Sequence, residues 1–356
     1  MNRRLRILLI ALNICTLLAL LLSWNLWIGI HSFPKIPLFE LLNFKSNALD
    51  LGLVGLLLIG LVSSMFFSKT RLPLLLILAS ILSLILLDIN RLQVWVFHFF
   101  LAYSILLSLA KSNKVLGSEL LIFSSMQVLT LSMYLWTGIN KLNASFFENV
   151  APYIAAPLMH KFTSFIYFDN IIMIAPFLGL SFIPLLMIQK TRSVALLSIM
   201  IYHGIAIFLV GFAGYNSNDI IIPWNLFILA SAFILFGNTH GFQPKFVRIF
   251  DKPNLIGPLL LAGLFPILSH FGNYPYNMSW DVYSGRIPYE HLKLSTLDVE
   301  TVPSYLDEFT TSYGGFIYID TYSWAMKELN TPPFNHPWVD QEIAEKSREL
   351  LKVRLR

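Results

Sequence analysis

Apolar positions in this chain come in long unbroken runs, without the polar spacing of a half-buried helix or strand. Such runs lie at about residues 7–30, 49–67, 72–87, 93–110, 115–138, 171–188, 193–213, 219–236 and 255–272. Segment after segment offers about 18 or more residues without charge, the length that crosses a hydrocarbon core. The pattern predicts an all-α integral membrane protein of about nine transmembrane helices. Between the fifth and sixth runs, 143–170 carries Pro152, Pro157, His160, Lys161 and many aromatics. It is too broken to cross and too apolar to float free, so it reads as an interfacial or re-entrant element of irregular backbone at the outer mouth of the bundle.

The pattern changes after Gly272. Residues 273–356 alternate more conventionally, with strands expected at 287–294 and 316–322 and a helix at 340–353 behind Pro337. In that helix Glu342 and Glu345 come early and Lys352 and Arg354 late, which suits the helix dipole. The organisation predicted is a polytopic domain over 1–272 and a small C-terminal extracytoplasmic α+β cap over 273–356. About 85 residues without a disulfide make a thin core, so the cap should lean on the bundle.

Composition agrees with the pattern: 56% of residues are hydrophobic, 13% are charged, and the mean hydropathy is +0.66. The lone cysteine, Cys15, excludes a disulfide framework and cysteine-rich metal centres. Gly-rich phosphate loops, HExxH and GxSxG are absent from the sequence, and Gly314-Gly315 reads as a turn.

Charge fixes the expected orientation. Up to residue 272 there are 17 Lys/Arg against 8 Asp/Glu, and from 273 onward 8 against 12. Alternate loops hold Arg3/Arg4/Arg6, Lys69/Arg71, Lys111/Lys114, Lys190/Arg192 and Lys245/Arg248/Lys252, while the opposite loops hold Lys35, Lys45, Arg91, Lys141 and Lys161. Twelve against five is the bias that positive-inside predicts, with the N-terminus cytoplasmic and the C-terminus outside. The first run is too long for a signal peptide and lacks a small-x-small site. The basic excess thus reads as orientation charge, with membrane lipids and no nucleic acid as partners.

The residue that apolar chemistry does not explain is Lys141, which closes the run 115–138 in the stretch Gly138-Ile-Asn-Lys-Leu-Asn143. Its plain reading is a lysine snorkelling to headgroups; the alternative is an amine held in a cavity, deprotonated by burial and working as a general base. Asn140, Asn143 and His160 are candidates to position a substrate. Asp88 and Arg91, spaced i, i+3, read first as an ion pair closing a turn. His203 and His98 read first as hydrogen-bonded core histidines. Asp88, His160 and His203 converge only if the fold brings them together, so no metal is predicted.

At these residues the chain resembles the HTTM family, whose best-known enzyme is the vitamin K-dependent gamma-glutamyl carboxylase. Tyr134–Phe147 is similar to the segment bearing the catalytic lysine, with Lys141 at that position. Leu87-Asp-Ile-Asn-Arg-Leu-Gln-Val-Trp95 is similar to an Asp-x-x-Arg-Leu-Gln-Pro-Trp signature, and Ile201-Tyr-His203 to a Phe/Tyr-His pair on a later helix. The likeness spans about residues 5–290. It implies about nine spans, a reduced quinone of the menaquinol or vitamin K type, and lysine-dependent oxygenation of that quinol to an epoxide. In the carboxylase this yields a base that deprotonates peptide glutamate before carbon dioxide is added. The carboxylase's second catalytic residue, a histidine, falls at about Trp95, and the nearest histidine here is His98. The large outer domain that binds its protein substrate is replaced by the small C-terminal region.

The expectation is therefore a carboxylase-like enzyme of a bacterial inner membrane, with catalytic Lys141, His160 and His203. Asn140, Asn143, Asp88, Arg91, Trp95 and His98 would surround a quinol or other lipid. The alternative is a non-catalytic lipid-binding or assembly subunit whose cap meets an envelope protein.

Overall fold

The computed structural model describes residues 3–44, 47–67, 70–108, 115–161, 167–212, 218–237, 253–287, 291–296 and 302–350. The expected lysines 45, 69, 111, 114, 245 and 252, with Arg248, lie outside them.

The apolar runs are helices. They are α1 (Arg3–Leu22), continued by the short α2 (Trp24–Ile28), α3 (Ala48–Phe66), α4 (Leu72–Leu87), α5 (Val94–Leu107) and α6 (Val115–Asn140). There follow α7 (Ala151–Lys161), α8 (Phe168–Ile172), α9 (Ala175–Met187), α10 (Arg192–Ala206), α11 (Ile221–Phe236) and α12 (Pro253–Gly263). Among the described residues, five helical stretches are long and apolar enough to cross a membrane: 3–22, 48–66, 119–140, 168–187 and 192–211. Four shorter apolar helices accompany them, at 72–87, 94–107, 221–236 and 255–271. The shortening has local causes. Pro73 starts α4, and Asp88 stops it in an extended conformation. Pro258 and Pro266 turn the last run from α-helix into a 3-10 segment over Phe265–Phe271.

The described residues of this stretch, 143–161 and 167–170, are largely helical where irregular backbone was expected. A π-turn at Phe146–Val150 leads into α7, which carries Pro157 in its interior. A second π-segment, Ile207–Phe212, extends α10. Helix α3 packs on α4, α1 on α11, and α6 on α9, α11 and α12. At Gly138 a Cβ would come within 2.7 Å of the Leu180 side chain and 3.1 Å of the Pro176 carbonyl. Only glycine lets α9 come so close to α6 here, less than one turn before Lys141.

The C-terminal region holds an antiparallel three-stranded sheet. Its strands are β1 (Leu292–Ser295), β2 (Thr310–Tyr313) and β3 (Phe316–Ile319), in the order β1-β3-β2. The expected strand at 287–294 is shorter and later, and 288–290 lie outside the described residues. The expected strand at 316–322 ends at Ile319, because Asp320 caps α13 (Thr321–Leu329) by accepting from the Ser323 amide. Strand β2 was not anticipated: Thr310-Thr-Ser-Tyr313 has no apolar alternation, and its pairing follows from the Gly314-Gly315 turn, both at positive φ. The final helix α14 (Pro337–Leu350) starts at the proline itself.

This region is bonded to the bundle side chain by side chain. Asn330 Nδ2 donates to the Leu22 carbonyl (3.0 Å), Gln93 Nε2 to Pro332 (2.9 Å), and the Phe334 amide to Asn90 Oδ1 (3.0 Å). Glu328 accepts from the Ser32 hydroxyl and amide, the Phe33 amide and the Trp324 indole. Burial pushes the Glu328 carboxyl up, but these four donors outweigh it and hold it below its usual value. A carboxylate with a depressed folded value stabilises fully above its unfolded value and loses that contribution as pH falls through the folded one. Acid should therefore loosen this docking. Hydrogen exchange at α13 is expected to rise between pH 6 and pH 3 in the wild type, and Glu328→Gln should be fast at both.

Candidate functional site

Three features of local sequence build the site. The tight Gly138 contact fixes the end of α6, the π-turn folds Phe146 back toward it, and the segment 276–287 returns from the 3-10 helix to lie against α5 and α6. In that segment Trp280 is fully buried, packs edge-on against His98 and at a tilt against Phe97, and donates its indole N–H to the Ala262 carbonyl at 2.9 Å. Trp280 and Tyr283 have φ of 60° and 50°, an unusual conformation for bulky residues that the surrounding contacts must enforce.

Lys141 lines a cavity of about 320 Å³, walled by α6, α7–α9, α10, α11 and Tyr283. Tyr134, His203 and Asn225 line the same cavity. The Lys141 amine donates to the Thr137 carbonyl at 3.3 Å, and only 9% of the residue is exposed. Burial pushes its ammonium down to about 8, with Asp281 pulling the other way. Burial likewise raises the Asp281 carboxyl, against Ser284, Arg286 and Lys141. Desolvation thus drives both members of this pair toward their neutral forms.

Opposite the amine runs a short hydrogen-bond chain whose polarity is fixed. Asn225 Nδ2 donates to the Ile221 carbonyl at 2.6 Å, so Oδ1 faces His203 and accepts from Nδ1–H. The other ring nitrogen, Nε2, then accepts from the Tyr134 hydroxyl at 2.9 Å. His203 thus bridges Tyr134 and Asn225 through its two ring nitrogens.

The cavity is open on one side. Among its wall residues Ile171 (53% exposed), Leu178 (41%), Ile201 (54%) and Ile205 (38%) also face the outside of the bundle. These outward-facing wall residues belong to α8, α9 and α10, and all four are aliphatic.

Of the residues expected at the site, Lys141 and His203 meet on one cavity. Asn140 and Asn143 are buttresses: Asn140 bonds the Ser279 carbonyl and Arg286, and Asn143 bonds the carbonyls of Asn140 and Ser284. Their side chains hold the 279–286 segment over the cavity and do not face it. His160 is exposed at the end of α7 and is not part of the wall. His98 accepts from the Trp224 indole at 3.1 Å and sits between Trp280 and Phe227, clear of the cavity.

Asp88 and Arg91 do not pair with each other. Arg91 bonds Asp50 and the carbonyls of Leu26, Leu84 and Trp27, while Asp88 accepts from the Ile36 and Asn90 amides and the Asn90 side chain. The 3-10 turn at Ile89–Arg91 aims the guanidinium away from its sequence neighbour. Trp95 lines a second chamber beside the first, described below. No group of three or more His, Cys, Asp or Glu is placed to hold a metal among the described residues.

Asn225, Tyr134 and Asp281 were not picked out as site residues from the sequence. The available signal was a lone asparagine inside the apolar run 219–236, since an amide in such a segment needs a partner. No family model, curated protein or solved structure matches the chain.

Proposed function

We propose that this protein is a membrane enzyme of the carboxylase-like kind that acts on a reduced quinone or similar lipid, with Lys141 as general base. The observation that carries the reading is a desolvated amine inside an apolar cavity whose aliphatic opening faces the outside of the helices. A lipid substrate would enter through that opening, between Leu178 and Ile201, and place its hydroxyl beside Lys141. The neutral amine takes the hydroxyl proton and becomes an ammonium, which Asp281 stabilises. Tyr134, held by His203, offers its ring edge and oxygen to the same space. The aliphatic walls exclude water, so the amine is not levelled by solvent.

In this reading the five long and four short apolar helices make nine crossings. The N-terminus is cytoplasmic, and the cap and the site lie on the outer side, in a bacterial inner membrane. An anionic peptide is a poor fit, because Asp281 and no lysine or arginine lines the neighbouring chamber. Mass spectrometry of lipids retained by the detergent-purified protein, paired with an assay on reduced menaquinone under oxygen, tests the proposal. Retention of a quinone with conversion to its epoxide is expected. Absence of both would remove it.

A further inference from the structure

The second chamber, of about 270 Å³, lies against the first, and Ile221, Trp224, Val282 and Tyr283 form a wall common to both. Its other sides are the start of α5 (Gln93, Trp95), the 277–287 segment with Asp281, and Tyr322, Thr331 and Pro332 of the C-terminal region. The volume is far above the roughly 10–15 Å³ that one water occupies on such a measure.

Three features of this wall point to a ligand. Trp95, Tyr153, Trp224, Tyr283 and Tyr322 give it five aromatic rings. Four wall residues carry buried polar atoms with no hydrogen-bond partner: Trp95 Nε1, Asn218 Oδ1, Thr331 Oγ1 and both carboxylate oxygens of Asp281. Such groups are costly to leave unmet. The Arg286 guanidinium, 3.0 Å from Asp281, offsets the carboxylate's charge without hydrogen-bonding either oxygen.

The unmet set is mixed: an N–H that only donates, amide and carboxylate oxygens that only accept, and a hydroxyl that does both. An anion would meet Asp281 with no cation in the wall. A cation would find its carboxylate already neutralised and could not use the Trp95 N–H. A ring bearing several hydroxyls satisfies donors and acceptors together, and its C–H faces lie flat on aromatic rings. We propose that the second chamber binds a neutral pyranose ring. The inference goes beyond the Lys141 chemistry and does not depend on it, because binding is read without turnover.

The ring could arrive as a free sugar or as a glycolipid headgroup, and two arms separate these sources. Full-length protein in glucoside-free detergent is titrated with methyl β-glucopyranoside. Protein in nanodiscs is compared with and without monoglucosyl diacylglycerol, with diacylglycerol alone as control. The readout is tryptophan fluorescence, since Trp95 and Trp224 line the chamber. Saturable quenching in either arm is expected, and the arm that gives it names the source. Trp95→Phe keeps the ring and removes the donor, and Thr331→Val keeps the shape and removes the hydroxyl. Each should weaken binding about three- to tenfold, as for one buried hydrogen bond, with the melting temperature checked in parallel. For Trp95→Phe the signal is read from Trp224. No saturable response in either arm would overturn the proposal. So would equal affinity in both variants, or tighter binding of tetramethylammonium than of the glucoside.

Discussion

Arg91→Met is expected to be the most destabilising single change in the chain. The guanidinium is completely buried and bonds four partners: Asp50 and the carbonyls of Leu26, Trp27 and Leu84. Methionine fills most of the volume and satisfies none of them. Lys35 still reaches Asp50 at 2.9 Å, so the carboxylate keeps one cation. The Leu84 carbonyl keeps the Asp88 amide at 3.1 Å, but the Leu26 and Trp27 carbonyls lose the guanidinium with no side chain to replace it. Breaking a buried pair from one side costs about 3–5 kcal/mol, a large share of the roughly 5–15 kcal/mol that holds a domain folded. The variant should accumulate poorly and melt well below the wild type in detergent. Asp50→Asn in the same background should cost little more, because the charge it removes is already short of a partner. Arg91→Met with wild-type melting would show that these bonds contribute nothing net.

That pair also shows what a sequence can and cannot disclose. The helices were legible because an apolar run of this length has few alternatives; proline marked the start at Pro73 but sits inside helices at Pro157, Pro184 and Pro258. The partner of Arg91 was not. Asp88 is its neighbour in sequence, but a 3-10 turn rotates the two apart, and the partner that packing supplies is 41 residues upstream. The same limit applies at the site. Lys141 stood out as a charge at the end of an apolar run, and His203 as a histidine inside one. Asn140 and Asn143 also looked like site residues, and only the return of 276–287 against α6 converts them into supports for the backbone. Nothing in the local pattern of Ser279–Arg286 announces that insertion. Trp280 and Tyr283 adopt a left-handed backbone that neither residue type favours, so propensity points away from the conformation found.

Substitution of Lys141 tests the chemical half of the reading. Among the described residues of the cavity wall Lys141 carries the only amine, and Lys141→Met removes it while keeping an unbranched chain of similar length. Turnover of a reduced menaquinone analogue should fall about 10²–10⁴-fold, the range for loss of a general base, with melting unchanged or raised because a buried polar group is gone. The pH dependence carries the sign. The working form is the neutral amine, so the rate should rise with pH and level off above about 8, where burial holds this ammonium, against an ordinary lysine value of about 10.4. Below that point the rate should fall about tenfold per pH unit, as the fraction of neutral amine does. Asp281 opposes the depression by favouring the ammonium. Asp281→Asn should therefore shift the midpoint to lower pH and leave the plateau nearly intact, an effect that a merely supporting residue would not produce. Lys141→Arg should be inactive throughout, since a guanidinium does not lose its proton in this range. A profile flat between pH 6 and 9, or a midpoint that moves upward in Asp281→Asn, would mean that the amine at 141 is not the base.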